Sequence, residues 1–548
     1  MVATARIMHF SQRTVWRKRS SSSPLKRLCK LELLSPAGTS VEAAPAQSRH
    51  YMICNFLCLI WLYIFPSLTQ AQDVTISGND PDYAGCVITF LAIDNHFSNS
   101  EIMMGECTVA GNGNFTVHFS CRDARLIFTR LGVFHARFYV EPGFSYEVKL
   151  PPRIDQSLED KENLFFKEET VFMNILSVKD SEGQKVVVEK ELNVLINTFN
   201  QTFNPLYDQL AVDAARKRPV ARLDSMIHSF KENLPHTGNR YFDQYAFYCS
   251  GLLYYAAQRS GSKYISNAYF AGRPVLYDND AYMELFNATY DRYFMYFGRT
   301  GDDIYNVVNR QGSFSGLKRL LAQDGVLPTD SLCELVILKN IYDEFYADRF
   351  SRGALLHVLD SAIVHTKIER HRELAGEIRA KIIRLLSGFE PPDFALYNQD
   401  NTLVHLQDYR GKYLYLMFCT TQNYVCLNQY ELLEKLHQDH GKWLQIVVIS
   451  ADDRLSDMRS FREKNGYEWD FLHFANDPDV MKSYDVRMFP TCFLIDPEGK
   501  LTLSPAPAAN EQLEHTLWIE LNRRGLLREY IQKGWIEAPG NTNDDFNF

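Results

Sequence analysis

The chemistry-bearing residues of this 548-residue chain concentrate where an apolar run, Tyr413–Phe418, meets a helical pattern. The junction reads Phe418-Cys419-Thr420-Thr421-Gln422-Asn423-Tyr424-Val425-Cys426. A cysteine there can carry sulfur chemistry. Backbone N–H groups and the helix dipole at a helix N-terminus favour the thiolate, which is the nucleophilic form. Thiol–disulfide exchange also needs a second thiol to resolve the mixed disulfide. Further along comes Met488-Phe489-Pro490-Thr491-Cys492-Phe493-Leu494-Ile495, a proline set directly before a β-rich run. The plainer account of Cys426 is a buried, inert core residue, because free cysteine packs as a small hydrophobe.

Together the two segments resemble the thioredoxin superfamily, in particular TlpA-like and redoxin-type (AhpC/TSA) envelope proteins. In that family the strand ends in a pattern like F-W-x-x-W-C-x-x-C, and a Pro-Thr before a strand packs against the dithiol. On this resemblance Cys426 takes the place of the second cysteine, and Asn423 takes that of the nucleophilic first. Asn423 cannot attack as a sulfur nucleophile, so the ordinary dithiol mechanism is closed at these positions.

Three readings stay open. Cys419, where the family has Trp, can pair with Cys426 as a C-x6-C couple if the Cα atoms come within ~7 Å. Cys426 can act alone, as in a peroxiredoxin-like antioxidant. Those enzymes resemble P-x-x-x-T-x-x-C, however, and here the matching positions are Cys419 and Asn423. Or the redox function is lost and the fold serves as a peptide- or protein-binding module. The resemblance further implies a cis Pro490 whose loop contacts extended polypeptide. Asn423, Tyr424, Phe489 and Thr491 would stand beside it as substrate-contacting residues. It implies a polypeptide or a thiol/disulfide protein as partner, and no cofactor. Cys492 is expected to face the sheet core.

The elements that must position these residues follow from periodicity. Gly388 and Pro391-Pro392 stop the preceding helix, and Asn398-Gln399-Asp400-Asn401 marks a turn before Leu403-Val404-His405. After the 413–418 strand come a helix over Tyr424–His440, a strand Leu444–Ile449 and a helix near Ser456–Lys464. Strands near 491–495 and 501–503 and a helix over Glu511–Arg523 complete the pattern. Alternating strands and helices predict a C-terminal α/β domain, thioredoxin-like by the resemblance, over 388–528, with a tail from 529 to 548. His437 and His440 are expected to be solvated rather than metal ligands, and Asp452-Asp453 to cap or solvate a loop. No zinc or phosphate-loop pattern is present.

Upstream, residues 72–152 predict a small β-sandwich-like domain. The β-rich runs Val87–Leu91, Phe115–Phe119, Leu126–Phe128 and Ala136–Val140 are separated by turn formers, and Gly111-Asn112-Gly113-Asn114 suggests a hairpin. Residues 153–387 read as an all-α domain. Tyr241, Phe242, Tyr245, Tyr248, Leu252 and Tyr255 fall on one helix face, as do Tyr282, Leu285, Phe286, Tyr290 and Tyr293. These stripes are expected to be helix core. Asp330 is the expected cap of the helix beginning at Leu332.

The chain carries 36 Phe and 30 Tyr, enough for several cores, and a net charge of -9 spread along the chain, which argues against a nucleic-acid surface. Residues 52–71 read as a signal peptide, with an apolar run Ile53–Phe65 and the small-residue end Thr69-Gln70-Ala71. The basic, Ser-rich residues 1–51 cannot bury enough apolar surface to fold alone. They are expected to be a non-native or disordered extension. No other stretch is long and apolar enough to span a bilayer. The expected address is therefore the periplasm or the secreted space. Eight cysteines follow residue 71, and an oxidising compartment permits them to pair.

Overall fold

Alternating apolar and polar side chains build the first part of the chain, seen here in a computed structural model. It describes residues 71–536 apart from 158–159, 161–165, 218–222, 233–236, 259–260, 298–302, 328, 348, 453 and 475–478. The expected extension 1–51, nearly all of the signal segment 52–71 and the residues after 536 lie outside the described residues. The strands are β1 (Gln72–Asn79), β2 (Val87–Asn95), β3 (Ser100–Thr108), β4 (Asn114–Cys121), β5 (Arg125–Leu131), β6 (Phe134–Val140), β7 (Ser145–Lys149), β8 (Glu169–Phe172) and β9 (Asn174–Lys179). They form two sheets, ordered β4-β1-β7-β9 and β3-β2-β5-β6-β8. Every second residue of β4 is buried, from Phe115 to Cys121. These side chains join Val74, Ile76, Phe90, Phe138 and Tyr146 in one core.

Two expectations change here. Gly111–Asn114 does not close a hairpin, because β3 and β4 belong to different sheets; the Asn112 side chain instead accepts the Asn114 N–H in a local turn. The segment expected to be helical from residue 153 opens with β8 and β9. These strands are four and six residues long, mostly exposed, and each adds an edge to one sheet. Strands so short show too little alternation to be told from loop.

The helical layer begins at α1 (Leu192–Ala215) and continues through α2 (Leu223–Glu232), α3 (Arg240–Ala256), α4 (Asp280–Thr289), α5 (Phe314–Leu321), α6 (Asp330–Phe345), α7 (Arg352–His365) and α8 (Glu369–Ile383). The aromatic stripes are core for the most part: Tyr248, Tyr282, Phe286 and Tyr290 are buried and pack ring against ring, whereas Tyr245 is half-buried and Tyr255 at the end of its stripe is exposed. Thr329 rather than Asp330 caps α6, its hydroxyl accepting the Leu332 N–H at 3.3 Å, and Asp330 is the first helical residue. Tyr139 of β6 is buried in this same helical core, so sandwich and helices share packing.

The last part is a seven-stranded mixed sheet, ordered β11-β10-β14-β13-β12-β15-β16. Its strands are β10 (Ala395–Asn398), β11 (Leu403–His405), β12 (Tyr413–Cys419), β13 (Leu444–Ser450), β14 (Asp470–His473), β15 (Thr491–Ile495) and β16 (Leu501–Ala506). The helices are α9 (Tyr424–His440), α10 (Leu455–Asn465), α11 (Asp479–Ser483), α12 (Leu513–Arg523) and α13 (Leu527–Gln532). β12 is buried along its whole length, as a central strand covered on both faces must be. Its alternation sorts the residues. Tyr413, Tyr415, Met417 and Cys419 enter the core beneath α9 and α12, while Leu414, Leu416 and Phe418 enter the opposite core with Tyr484 and Phe394. The domain also runs past the expected tail boundary at 529. Tyr530 and Ile536 are buried, and Tyr530 packs on Trp443 at 5.7 Å.

Candidate functional site

Side-chain alternation puts Cys419, the last residue of β12, on the α9 face of the sheet. Cys426 is the third residue of α9 and belongs to the same core. The two sulfurs are bonded, with the Cα atoms 6.0 Å apart. Both residues are fully buried. Cys492 lies nearby on β15, in register with Met417 of β12, and faces the core as expected. Burial pushes its thiol up to about 12, which leaves it protonated and unreactive at neutral pH.

The loop between the bonded cysteines is tied at both ends. Asn423 is the N-cap of α9: its side-chain oxygen accepts the N–H of Val425 at 2.8 Å and of Cys426 at 3.4 Å. Asparagine is among the residues best suited to that task. The Asn423 N–H in turn donates to the Thr420 hydroxyl at 3.2 Å. On the other side, the Thr421 N–H donates to the Asp452 carboxylate at 3.0 and 3.2 Å, and the Ser450 hydroxyl donates to it at 2.5 Å. The Cys419 carbonyl accepts the Ala451 N–H at 2.8 Å. Asp452 is only 3 % exposed and accepts the Thr421 N–H, so of the two expected roles, cap or loop solvation, it takes the first; Asp453 lies outside the described residues. Spacing along the chain gives no signal for Asp452. Only the register Cys419↔Ser450 between β12 and β13 brings it to the cysteine loop.

The Phe489–Pro490 peptide is cis. Thr491 opens β15 opposite Phe418, which sets Pro490 beside the end of β12 that carries Cys419. The Thr491 hydroxyl donates to the Met488 carbonyl at 2.7 Å. Phe489 is partly buried and packs against both cores of the domain. Around the buried disulfide the surface is apolar: Tyr424 is 75 % and Met488 66 % exposed. Thus Cys419, Asn423, Tyr424, Cys426, Pro490 and Thr491 gather at one end of the sheet. His437 and His440 do not take part. His440 is buried rather than solvated and bonds Glu514 at 3.1 Å, whereas His437 is half-buried beside Glu468. Among the described residues no group of three His, Cys, Asp or Glu side chains is arranged to hold a metal ion.

Residues 388–504 match the family model described as the AhpC/TSA family. The C-terminal part of this chain is a redoxin-type, thioredoxin-like domain. Thiol-disulfide oxidoreductase ResA of Bacillus subtilis is 25 % identical over 167 residues, which are 30 % of this chain and 89 % of that protein. Thioredoxin-like protein YneN of the same species is 26 % identical over 122 residues, 22 % of this chain and 71 % of that protein. Among solved structures, a thiol:disulfide interchange protein from Bacteroides sp. is 25 % identical, covering 25 % of this chain and 92 % of its own, with a TM-score of 0.24. Within the redoxin domain the strands and helices expected from the sequence lie within about three residues of their observed positions, whereas β14, α11 and α13, four to six residues long, are too short to show a period and have no counterpart in the sequence reading.

Proposed function

We propose that this protein is an extracytoplasmic thiol–disulfide exchange protein whose redox pair is Cys419–Cys426. Asn423 replaces the nucleophile of the usual C-x-x-C, so the site is degenerate in sequence and rebuilt on a different spacing. The observation that carries this reading is the bond between the two cysteines across a Cα separation of 6.0 Å. A thiolate of a dithiol partner attacks the Cys419 sulfur, and the Cys426 sulfur leaves as thiolate. The position of Cys426 in the first turn of α9 suits the leaving group, because the helix N-terminus favours negative charge there. The partner's second thiol then attacks the mixed disulfide. The partner departs oxidised, and both cysteines end as thiols after taking up two electrons and two protons. Asn423, Tyr424, Phe489, Pro490 and Thr491 form the surface that meets the polypeptide partner. Both cysteines are fully buried, so exchange requires the loop 420–423 to open.

Differential alkylation with mass spectrometry, before and after mild reduction, tests this. The expected result is a Cys419–Cys426 cross-link in the oxidised protein and the simultaneous appearance of both thiols on reduction. Cys426→Ser, which removes the bond that the partner's thiolate attacks, should abolish oxidation of a dithiol substrate. Full burial of both sulfurs favours a second reading, a redox-silent module that binds polypeptide on the same face. A cysteine pair that alkylating agents never reach after reduction would select it.

A further inference from the structure

A groove of about 1200 Å³ opens between the helical layer and the Pro490 loop of the redoxin domain. Its volume exceeds that of a typical small-molecule pocket. One wall is the redoxin site itself, with Val425 of α9, Met488 and Pro490. The other is built by the ends of α6, α7 and α8, and it is cationic. Arg352, Lys381 and Arg384 line it, and none of the three has a carboxylate within ion-pair distance among the described residues. The Arg384 Nε is buried without a partner. Burial and the neighbouring Arg384 hold the Lys381 ammonium below its ordinary pKa, against a weaker opposing pull from Asp485 and Glu101. The acids lining the groove, Asp485 and Glu511, stand on the redoxin side, and Asp485 is engaged by Arg487 at 3.0 Å. Between the cations stand Tyr342 and Tyr346, packed edge to face at 5.7 Å, with Tyr346 61 % exposed.

Exposed Tyr, Met and Arg beside a groove are the residue types that dominate protein recognition. Cations without an ion-pair partner, Lys381 and Arg384 half-buried and Arg352 exposed, add a demand for negative charge. We propose that this groove binds an extended acidic segment of a partner polypeptide, with its carboxylates on Arg352, Lys381 and Arg384 and its apolar side chains on Tyr346 and Met488. The helical layer thereby selects which polypeptides reach the redoxin site. This proposal rests on the reading of the Pro490 face as a polypeptide-contacting surface and gives that surface a substrate class.

The test uses the protein from residue 72 onward and fluorescence polarisation of a fluorescein-labelled peptide of alternating Glu and Ala. The expected result is saturable binding that weakens with salt and by about ten-fold or more in Lys381→Glu/Arg384→Glu. The same peptide with Gln for Glu should bind comparably weakly. Arg384→Lys, which keeps the charge, should retain most of the affinity, and unchanged thermal melts show that each variant is folded. Equal affinity for the Gln peptide, indifference to the charge reversal, or tighter binding of a single-stranded oligonucleotide would each overturn the acidic-segment proposal. Failure to bind any peptide would overturn the polypeptide-contacting reading as well. Reduction of Cys419–Cys426 followed in the same samples judges the redox reading separately.

Discussion

Asp452 sets how readily the disulfide can be reached. Its carboxylate takes the Thr421 N–H and the Ser450 hydroxyl, fixing the loop that joins Cys419 to Cys426. A fully buried disulfide reacts only through local opening, so a bond lost on this loop should appear as a faster reaction. Removing the acceptor leaves the Thr421 N–H without its partner, a cost of about 1–3 kcal/mol. Asp452→Ala is therefore expected to speed reduction of the pair by dithiothreitol about ten-fold or more, at 1.4 kcal/mol per decade. Timed alkylation reads this directly, and an unchanged rate would show that opening proceeds by another route. At this scale the sequence is half legible. The two cysteines, Asn423 and Pro490 stand out by type and by resemblance. Asp452 shows in the sequence only as a cap or loop residue, and its hold on the cysteine loop stays hidden, because that contact is made across the β12–β13 register rather than along the chain.

Among the elements, α6 shows what periodicity conveys and what it hides. The helix is surrounded, so polar side chains are buried with apolar ones: Glu334, Lys339 and Asn340 are all inside. The sequence announces a helix there but not the partners that make such burial tolerable. Glu334 receives Lys318 of α5 at 2.7 Å, Thr366 at 2.6 Å and His371 of α8 at 2.9 Å, and the far nitrogen of His371 bonds Tyr277 at 2.8 Å. Burial alone would raise the Glu334 carboxyl. The bonds from His371, Lys318 and Thr366 outweigh it and hold the group at about 2. The folded-state value lies below the ordinary 4.5, so this stabilisation is complete above about pH 4.5 and is lost as pH falls toward 2. Glu334→Ala would strand Lys318 and His371 and is expected to cost about 3 kcal/mol at neutral pH, since breaking a buried ionic cluster from one side leaves its partners uncompensated. Urea unfolding of the two proteins at pH 7 measures the difference. A midpoint equal to that of the parent would mean that water or a rearranged neighbour satisfies the cluster.

Across the whole molecule, what single-sequence reasoning misses is how the layers join. Alternation points to strands in the first part of the chain and helical spacing to the helices after it, but the joint consists of contacts between residues far apart in sequence. The Tyr139 backbone exchanges hydrogen bonds with the Asn193 side chain at 2.6 and 2.9 Å. Arg125 pairs with Asp278 at 3.0 Å and Arg370 with Asp94 at 3.1 Å. Asp280 sits at this joint at the start of α4, with one carboxylate oxygen buried and unpartnered. Burial pushes its carboxyl up to about 6; Tyr139 and Arg137 oppose that rise, and Asp278 and Glu284 add to it. The sign is opposite to that of Glu334. With the folded value above the ordinary one, the stability tied to the protonated form is complete below about 3.8 and drains away as pH rises through about 6. Ionisation of Asp280 should therefore lower stability by about 1–2 kcal/mol between pH 5 and pH 7.5. Asp280→Asn keeps the shape and removes the titration, so its urea midpoint should change less over that interval than the parent's. The variant should also be the more stable of the two at pH 7.5. If parent and variant lose stability in parallel, the carboxyl is already ionised in the folded protein, and the joint between sandwich and helices tolerates its charge.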